Sequence, residues 1–304
     1  MKLTSFLFLA VTLPALADAA KDFEIRKNID YVGTQNSRQM LDLFLPLKKA
    51  DKPRPLLVYI HGGGWEAGSK NDAGVLPPLI TDGNYVGASV GYRLTNQAHW
   101  PAQIHDCKAA IRWLRAHSAE YGIDPERIAV YGISAGGHLV SLLGTTTGDG
   151  PKELEGDIGA HVGVSTKVAC VINFCGPCDF ITFAGKGSQI SVESPGTAIT
   201  KLLGGPLSAN KDAAVAASPV THITKNDPPF LHIHGTKDPL VPYDQAMEFN
   251  AALKKAGVPS TLLTGTDGSH VFFSAELVGH MKTFLAHHLL GESKDAPEGT
   301  VAIK

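Results

Sequence analysis

RIAVYGISAGGHLV, residues 127–140, decides the reading of this chain. A short apolar strand pattern, RIAVY, runs into Gly132-Ile133-Ser134-Ala135-Gly136 and from there directly into the apolar helical pattern HLVSLLG. A strand that reverses so sharply into a helix holds its middle residue in a strained backbone conformation, and Gly on both sides leaves room for the close turn. The Ser134 hydroxyl is then expected at a helix N-terminus, exposed and usable as a nucleophile. An ordinary Gly/Ser turn could carry the same letters; placement between strand and helix favours the nucleophile.

Outward from this stretch, strand-like and helix-like segments alternate. Residues 39–46, 56–60, 85–93, 167–174, 229–235 and 260–265 are short apolar runs bounded by Pro or Gly, as in strands covered on both faces. Between them lie helical periods. Ile104, Cys107, Ile111 and Leu114 share one face of a helix that starts near Pro101 and stops by Gly122. Ala246, Phe249 and Leu253 mark a second helix over 243–256, and Phe273, Leu277, Met281, Phe284 and His288 a third over 272–290. Strand, helix, strand repeated this often predicts a parallel sheet wrapped by helices, in one domain over 20–290. The two earliest strands, 39–46 and 56–60, are joined by few residues and are expected to form an antiparallel edge. Residues 291–304 lose periodicity and read as a flexible tail.

Composition narrows the function classes. The 304 residues are 43% hydrophobic and 18% charged, with 27 Lys+Arg against 29 Asp+Glu. That balance offers no basic field to nucleic acid or anionic lipid, so the partners expected are small or neutral molecules. Four Cys are too few for a disulfide scaffold. The opening MKLTSFLFLAVTLPALADAA has one cation, an apolar run from Phe6 to Leu13 and then small residues, the layout of a cleaved secretory signal over residues 1–19. Its apolar core is too short to span a bilayer. A secreted or periplasmic protein is therefore expected, in a compartment that permits disulfides.

Further chemistry sits where other strands end. His61-Gly62-Gly63-Gly64-Trp65 follows LLVYI. A tetrahedral oxyanion needs two or three converging N–H groups, and consecutive Gly residues let a backbone curl that closely. The expected donors are Gly63, Gly64 and Ala135, with Trp65 as a substrate-binding residue and His61 bracing the loop. No Gly-Lys-Ser/Thr follows, which argues against a phosphate loop. A serine nucleophile also needs a base and an orienting acid, in the order Ser, acid, His along later strands. Asp238 follows PFLHIHG and His270 follows STLLTG, which fits. Asp267 is the runner-up acid, but three residues from His270 on one tight loop it would struggle to reach the ring.

HGGGW (61–65), GYRL (91–94), YGIDPERIAVYGISAGGHL (121–139), GPCDF (176–180), KLLGG (201–205), ASPVTHI (217–223), PPFLHIHGTKDPLVP (228–242) and GSH (268–270) together resemble an α/β-hydrolase. The closest likeness is to the bacterial carboxylesterases that include feruloyl-esterase-like (BD-FAE-like) domains, near the hormone-sensitive-lipase-like esterases. The resemblance implies an eight-stranded, mostly parallel sheet, a Ser134-Asp238-His270 triad, no cofactor and no metal. It implies hydrolysis of short-chain acyl or hydroxycinnamoyl esters, including those on plant polysaccharides. Formamidases that cleave N-formylkynurenine share the scaffold and the H-G-G-x-W loop; export disfavours that amide-hydrolase alternative. The chain departs from the lipase-like relatives in having little or no cap. The Gly-rich segments 144–166 and 183–200 are the candidates for a small lid.

Two motifs compete with this reading. Cys175-Gly176-Pro177-Cys178 matches the dithiol of thioredoxin-like oxidoreductases, but it follows the sixth strand of a much longer sheet. A disulfide between Cys175 and Cys178 is favoured over redox catalysis, with two unpaired thiols as the alternative; Cys107 and Cys170 are expected in the core. His232 and His234 lie on one face of a strand ahead of Asp238, superficially a metal set, yet further ligands at comparable spacing are missing. A catalytically silent binding domain is the remaining different-class alternative.

Overall fold

The computed structural model describes residues 22–303 apart from 74, 75, 147 and 149. The expected signal segment, residues 1–19, lies outside the described residues. Nine strands form one sheet: β1 (Phe23–Asp30), β2 (Met40–Pro46), β3 (Arg54–Ile60), β4 (Val86–Val90), β5 (Ile123–Ile133), β6 (Cys170–Phe174), β7 (Phe230–Gly235), β8 (Ser260–Gly265) and β9 (Gly299–Val301). Their order is β1-β2-β4-β3-β5-β6-β7-β8-β9, antiparallel at β1-β2 and β2-β4 and parallel elsewhere. The helices are α1 (Pro77–Ile80), α2 (Ala102–Ala116), α3 (Ala135–Thr145), α4 (Ala198–Leu203), α5 (Lys211–Ala216), α6 (Asp244–Lys255) and α7 (Ala275–Leu285).

The two-residue period of a strand divides the core. Leu56, Val58 and Ile60 of β3 face Ile104, Ile111, Leu139 and Phe249 from α2, α3 and α6, whereas Leu57 and Tyr59 face Leu76, Ile80, Leu277 and Phe284 around α1 and α7. Both faces are covered, so the central strands read as continuous apolar runs.

Three expectations are corrected here. Strands 39–46 and 56–60 are not neighbours, because β3 passes through α1 into a parallel crossover that places β4 between them. Among the described residues the sheet has nine strands rather than eight. The segment read as a tail supplies the ninth, since Ala296 and Val301 are buried and β9 pairs in parallel with β8.

The crossover also locates the site. From β3 the chain moves to one side to form β4 and later returns on the other side as β5, so the carboxyl ends of adjacent β3 and β5 open at a point where the winding reverses. Crevices at such switch points hold ligands in open α/β sheets. HGGGW follows β3, and Ser134 follows β5.

Candidate active site

Ser134 stands at the junction of β5 and α3 with φ 56° and ψ −119°. Its N–H donates to Phe174 O at 2.8 Å, and its carbonyl accepts from His138 N at 3.0 Å. The turn is tight enough that a Cβ on Gly136 would lie 2.1 Å from Ile60 O and one on Gly132 would lie 2.3 Å from the Gly136 backbone. Glycine is therefore required on both sides of the serine, and α3 is drawn against the end of β3.

Three side chains from three strand ends meet. The Ser134 hydroxyl donates to His270 Nε2 at 2.8 Å, and His270 Nδ1 donates to Asp238 Oδ2 at 2.7 Å. The Asp238 side chain is fully buried, yet both its oxygens are satisfied: Oδ1 accepts from Leu240 N and Val241 N, and Oδ2 also lies 3.0 Å from His234 Nε2. Burial alone would favour the neutral acid; the donors from His234 and His270 outweigh it and hold this carboxyl well below the usual range. Burial likewise opposes the imidazolium of His270, but the Cys175 sulfur and the Asp238 carboxylate favour it, and the balance raises this histidine above its ordinary value. Burial also pushes the Cys175 thiol up, so that sulfur is uncharged near neutrality. Asp238 is then the charge that acts on His270, and the direction remains upward.

The loop after β3 faces Ser134. Gly63 and Gly64 have φ of 109° and 58°, and a Cβ on Gly62 would lie 3.4 Å from the Ser134 Cβ. Among the described residues, the N–H groups of Gly63, Gly64 and Ala135 find no acceptor within the protein. His61 braces this loop: its ring is buried, stacks on Tyr92 at 4.2 Å, and is kept neutral by burial, which pulls it down to about 4. Trp65 is a correction. Its indole is 3% exposed, packs edge-on to His138 and Phe180 and donates to His138 Nδ1 at 3.2 Å, so it offers almost no surface to a substrate. His138 in turn bonds Ala217 O through Nε2, which ties the loop to α3 and to the chain after α5.

The competing motifs resolve separately. Cys175 and Cys178 are both free and buried, contrary to the expected disulfide. Cys175, at φ 47°, turns its sulfur toward His270 Nε2 at 3.9 Å, whereas the Cys178 sulfur lies 3.3 Å from Asn173 Nδ2 and 3.3 Å from Gly176 O. Asn173 Oδ1 accepts from Gly176 N, and Gln245 Oε1 accepts from the N–H groups of Cys178 and Asp179, so side chains rather than a disulfide shape the loop. Cys107 and Cys170 are buried in the core. His232 stacks on Phe230 and is pulled down to about 3 by burial, while His234 spends its Nε2 on Val241 O and Asp238. Neither belongs to a group of converging ligands among the described residues. Asp267 turns away to pair with Lys237 at 2.8 Å on the exposed surface. The proximity of Cys175 to His270 and the support of Asp238 by His234 had no signal in residue spacing.

Of the two lid candidates, the described part of 144–166 lies between the C-terminal end of α3 and the N-terminal end of β6, at the other end of the strands from Ser134, held by Lys108 to Glu155 and by Arg112 to Glu155 O and Ile158 O. The segment 183–200 borders the candidate site. Gln189 N donates to Pro239 O beside Asp238, the Ala198 Cβ is 3.1 Å from where a side chain on Gly64 would begin, and Lys201 of α4 pairs with Glu66 at 2.5 Å.

A switch-point crevice with a serine at a strand-to-helix turn, hydrogen-bonded in series to a histidine and a buried carboxylate, defines an α/β-hydrolase. The chain belongs to the BD-FAE family, whose profile matches residues 41–253. It is 34% identical over 218 residues to the esterase LipC of Mycobacterium tuberculosis, covering 71% of this chain and 52% of that protein. The chain spans about half the length of the curated relatives it matches. Among solved structures, it is similar to a truncated carbohydrate esterase from gut microbiota (TM-score 0.80, 27% identity, 88% of this chain and 96% of that one). It also resembles the bifunctional GH43-CE protein of Bacteroides eggerthii (TM-score 0.78, 31% identity, 87% of this chain and 35% of that one). Among the described residues, no helix is long and apolar enough to cross a membrane.

Proposed function

We propose that the protein is a serine carboxylesterase with Ser134 as nucleophile, His270 as general base and Asp238 as the group that fixes the base. The observation that carries this reading is the hydrogen-bonded series Ser134–His270–Asp238 beside three N–H groups without acceptors among the described residues. In the acylation step, Nε2 of His270 takes the hydroxyl proton as Oγ bonds to the ester carbonyl carbon. Gly63, Gly64 and Ala135 hold the oxyanion. The carbonyl–alkoxy bond then breaks, and the alcohol leaves with the proton from His270. Water, deprotonated by the same nitrogen, attacks the acyl-enzyme and releases the acid.

The substrates we assign are short-chain acyl or hydroxycinnamoyl esters, including those carried by plant polysaccharides. The similarity to a carbohydrate esterase from gut microbiota and to the bifunctional GH43-CE protein supports that class. We further propose that residues 1–19 direct export to the periplasm or beyond, which would bring the enzyme to such polymers. The test is a panel of acetyl, feruloyl and long-chain esters with N-formylkynurenine alongside. Turnover of acetyl or feruloyl esters is expected; N-formylkynurenine as the preferred substrate would replace the reading. N-terminal sequencing of the exported protein tests cleavage near Ala19.

A further inference from the structure

A second cluster of ligating side chains lies far along the chain from Ser134. After Leu285, helix α7 widens into a single π turn, Ala286–Leu290, and Gly291 ends it with φ 76°. Such turns are rare and recur at functional sites. The turn brings the rings of His287 and His288 to a centroid separation of 4.7 Å, and the returning chain places Asp295 against both. Asp295 Oδ2 is 3.9 Å from His287 Nε2 and 3.4 Å from His288 Nε2, and the three donor atoms lie within 4.8 Å of one another.

The surroundings orient each of these atoms. His287 Nδ1 donates to Glu292 O at 2.6 Å, so in the neutral ring the lone pair is on Nε2 and faces the carboxylate oxygen. Asp295 Oδ1 accepts from its own neighbour, Ala296 N, at 2.7 Å, which turns Oδ2 toward the histidines. The His288 ring is held edge-on to Phe284 at 4.5 Å and its side chain is only 13% exposed. For His287 and Asp295, 3.9 Å apart, two acceptors face each other, an arrangement that a proton on Nε2 or a metal cation between them stabilises. Ligand distances of about 2.0–2.1 Å put tetrahedral donors about 3.4 Å apart: the His288–Asp295 pair already has that spacing, the His287–Asp295 pair closes by about half an ångström, and the two imidazole nitrogens, within 4.8 Å, also draw together. A backbone carbonyl on the far nitrogen of a ligating histidine is the usual outer support of such sites.

We propose that His287, His288 and Asp295 form a site for a divalent cation of the imidazole-binding class, with Zn²⁺ as its representative. Two imidazoles and one carboxylate suit Zn²⁺ and are poor ligands for Mg²⁺ or Ca²⁺. The site would fasten the strap that carries β9 to the end of α7. Its role is structural and independent of the Ser134 chemistry.

The test uses the full chain, stripped with EDTA and desalted. Zn²⁺ is titrated calorimetrically into the wild type, Asp295→Asn and His287→Gln, and Tm is followed with Zn²⁺, with Mg²⁺ and after EDTA. The wild type is expected to bind one equivalent more than either variant. Its Tm should rise with Zn²⁺ concentration, return with EDTA and ignore Mg²⁺, while both variants keep the stripped wild-type circular dichroism and ester turnover. Equal Zn²⁺ stoichiometry and equal Tm response in wild type and Asp295→Asn would overturn the proposal, as would a Mg²⁺ response matching that of Zn²⁺. Should His287→Gln fail to fold, Asp295→Asn, at a partly exposed carboxylate, decides alone.

Discussion

The sulfur of Cys175 lies 3.9 Å from His270 Nε2, the same nitrogen that accepts the Ser134 hydroxyl at 2.8 Å. A C-G-P-C sequence thus delivers its first cysteine to the proposed base rather than to its second cysteine. Both thiols are buried and free, and burial raises both above the ordinary thiol range. Protein unfolded in guanidinium without reductant should titrate four thiols, and the folded protein should react slowly with iodoacetamide near neutral pH. A count of two after unfolding would mean that Cys175 and Cys178 had paired.

In the proposed mechanism, the carboxylate behind His270 sets the acid limb of activity. His270 must be neutral to accept the Ser134 proton, and its imidazolium is favoured by Asp238. Activity should therefore fall as pH drops through a midpoint above the ordinary imidazole value of about 6.5. Asp238→Asn removes the charge, so its midpoint should move down while kcat drops. The kcat/KM profiles of both proteins check this, and an unchanged midpoint in the variant would assign the limb to another group.

Ser134 occupies φ 56° and ψ −119°, the mirror image of an extended conformation, which L residues avoid and Gly adopts freely. Ser134→Gly should abolish activity yet exceed Ser134→Ala in stability by about 1 kcal/mol, the lower end of the cost of such backbone strain. Urea denaturation of the two variants measures the difference.

Two glycines on helices should respond oppositely to alanine. A Cβ on Gly136 meets Ile60 O at 2.1 Å, a backbone atom that cannot step aside, so Gly136→Ala should cost roughly 1–3 kcal/mol or prevent folding. Gly279, exposed on α7 with nothing near its added Cβ, should gain about 0.5–1 kcal/mol. Denaturation midpoints of the two variants check the signs.

What was legible before the structure follows from the range of each constraint. Ser134, Gly63 and Gly64 sit in short motifs whose backbone demands are local, and Asp238 and His270 follow strands whose order dictates where their loops emerge. Pairing order is different: the placement of β4 between β2 and β3 depends on a crossover, and apolar runs say nothing about which run is adjacent. β1 was missed because half of FEIRKNID is exposed at the sheet edge, and β9 because its three residues show no period. Trp65 read as a substrate contact because its loop is a site loop, but a residue at φ 58° turns its indole inward against His138. Cys175 reaches His270 across a sequence separation of 95 residues, a proximity that only the assembled sheet creates.

The central claim is that Ser134 carries the chemistry. The direct measurement is kcat for p-nitrophenyl acetate in the wild type and Ser134→Ala, with circular dichroism confirming that both are folded. A fall of about 10³-fold or more with the fold intact is predicted. Turnover by Ser134→Ala within a few fold of the wild type would contradict it.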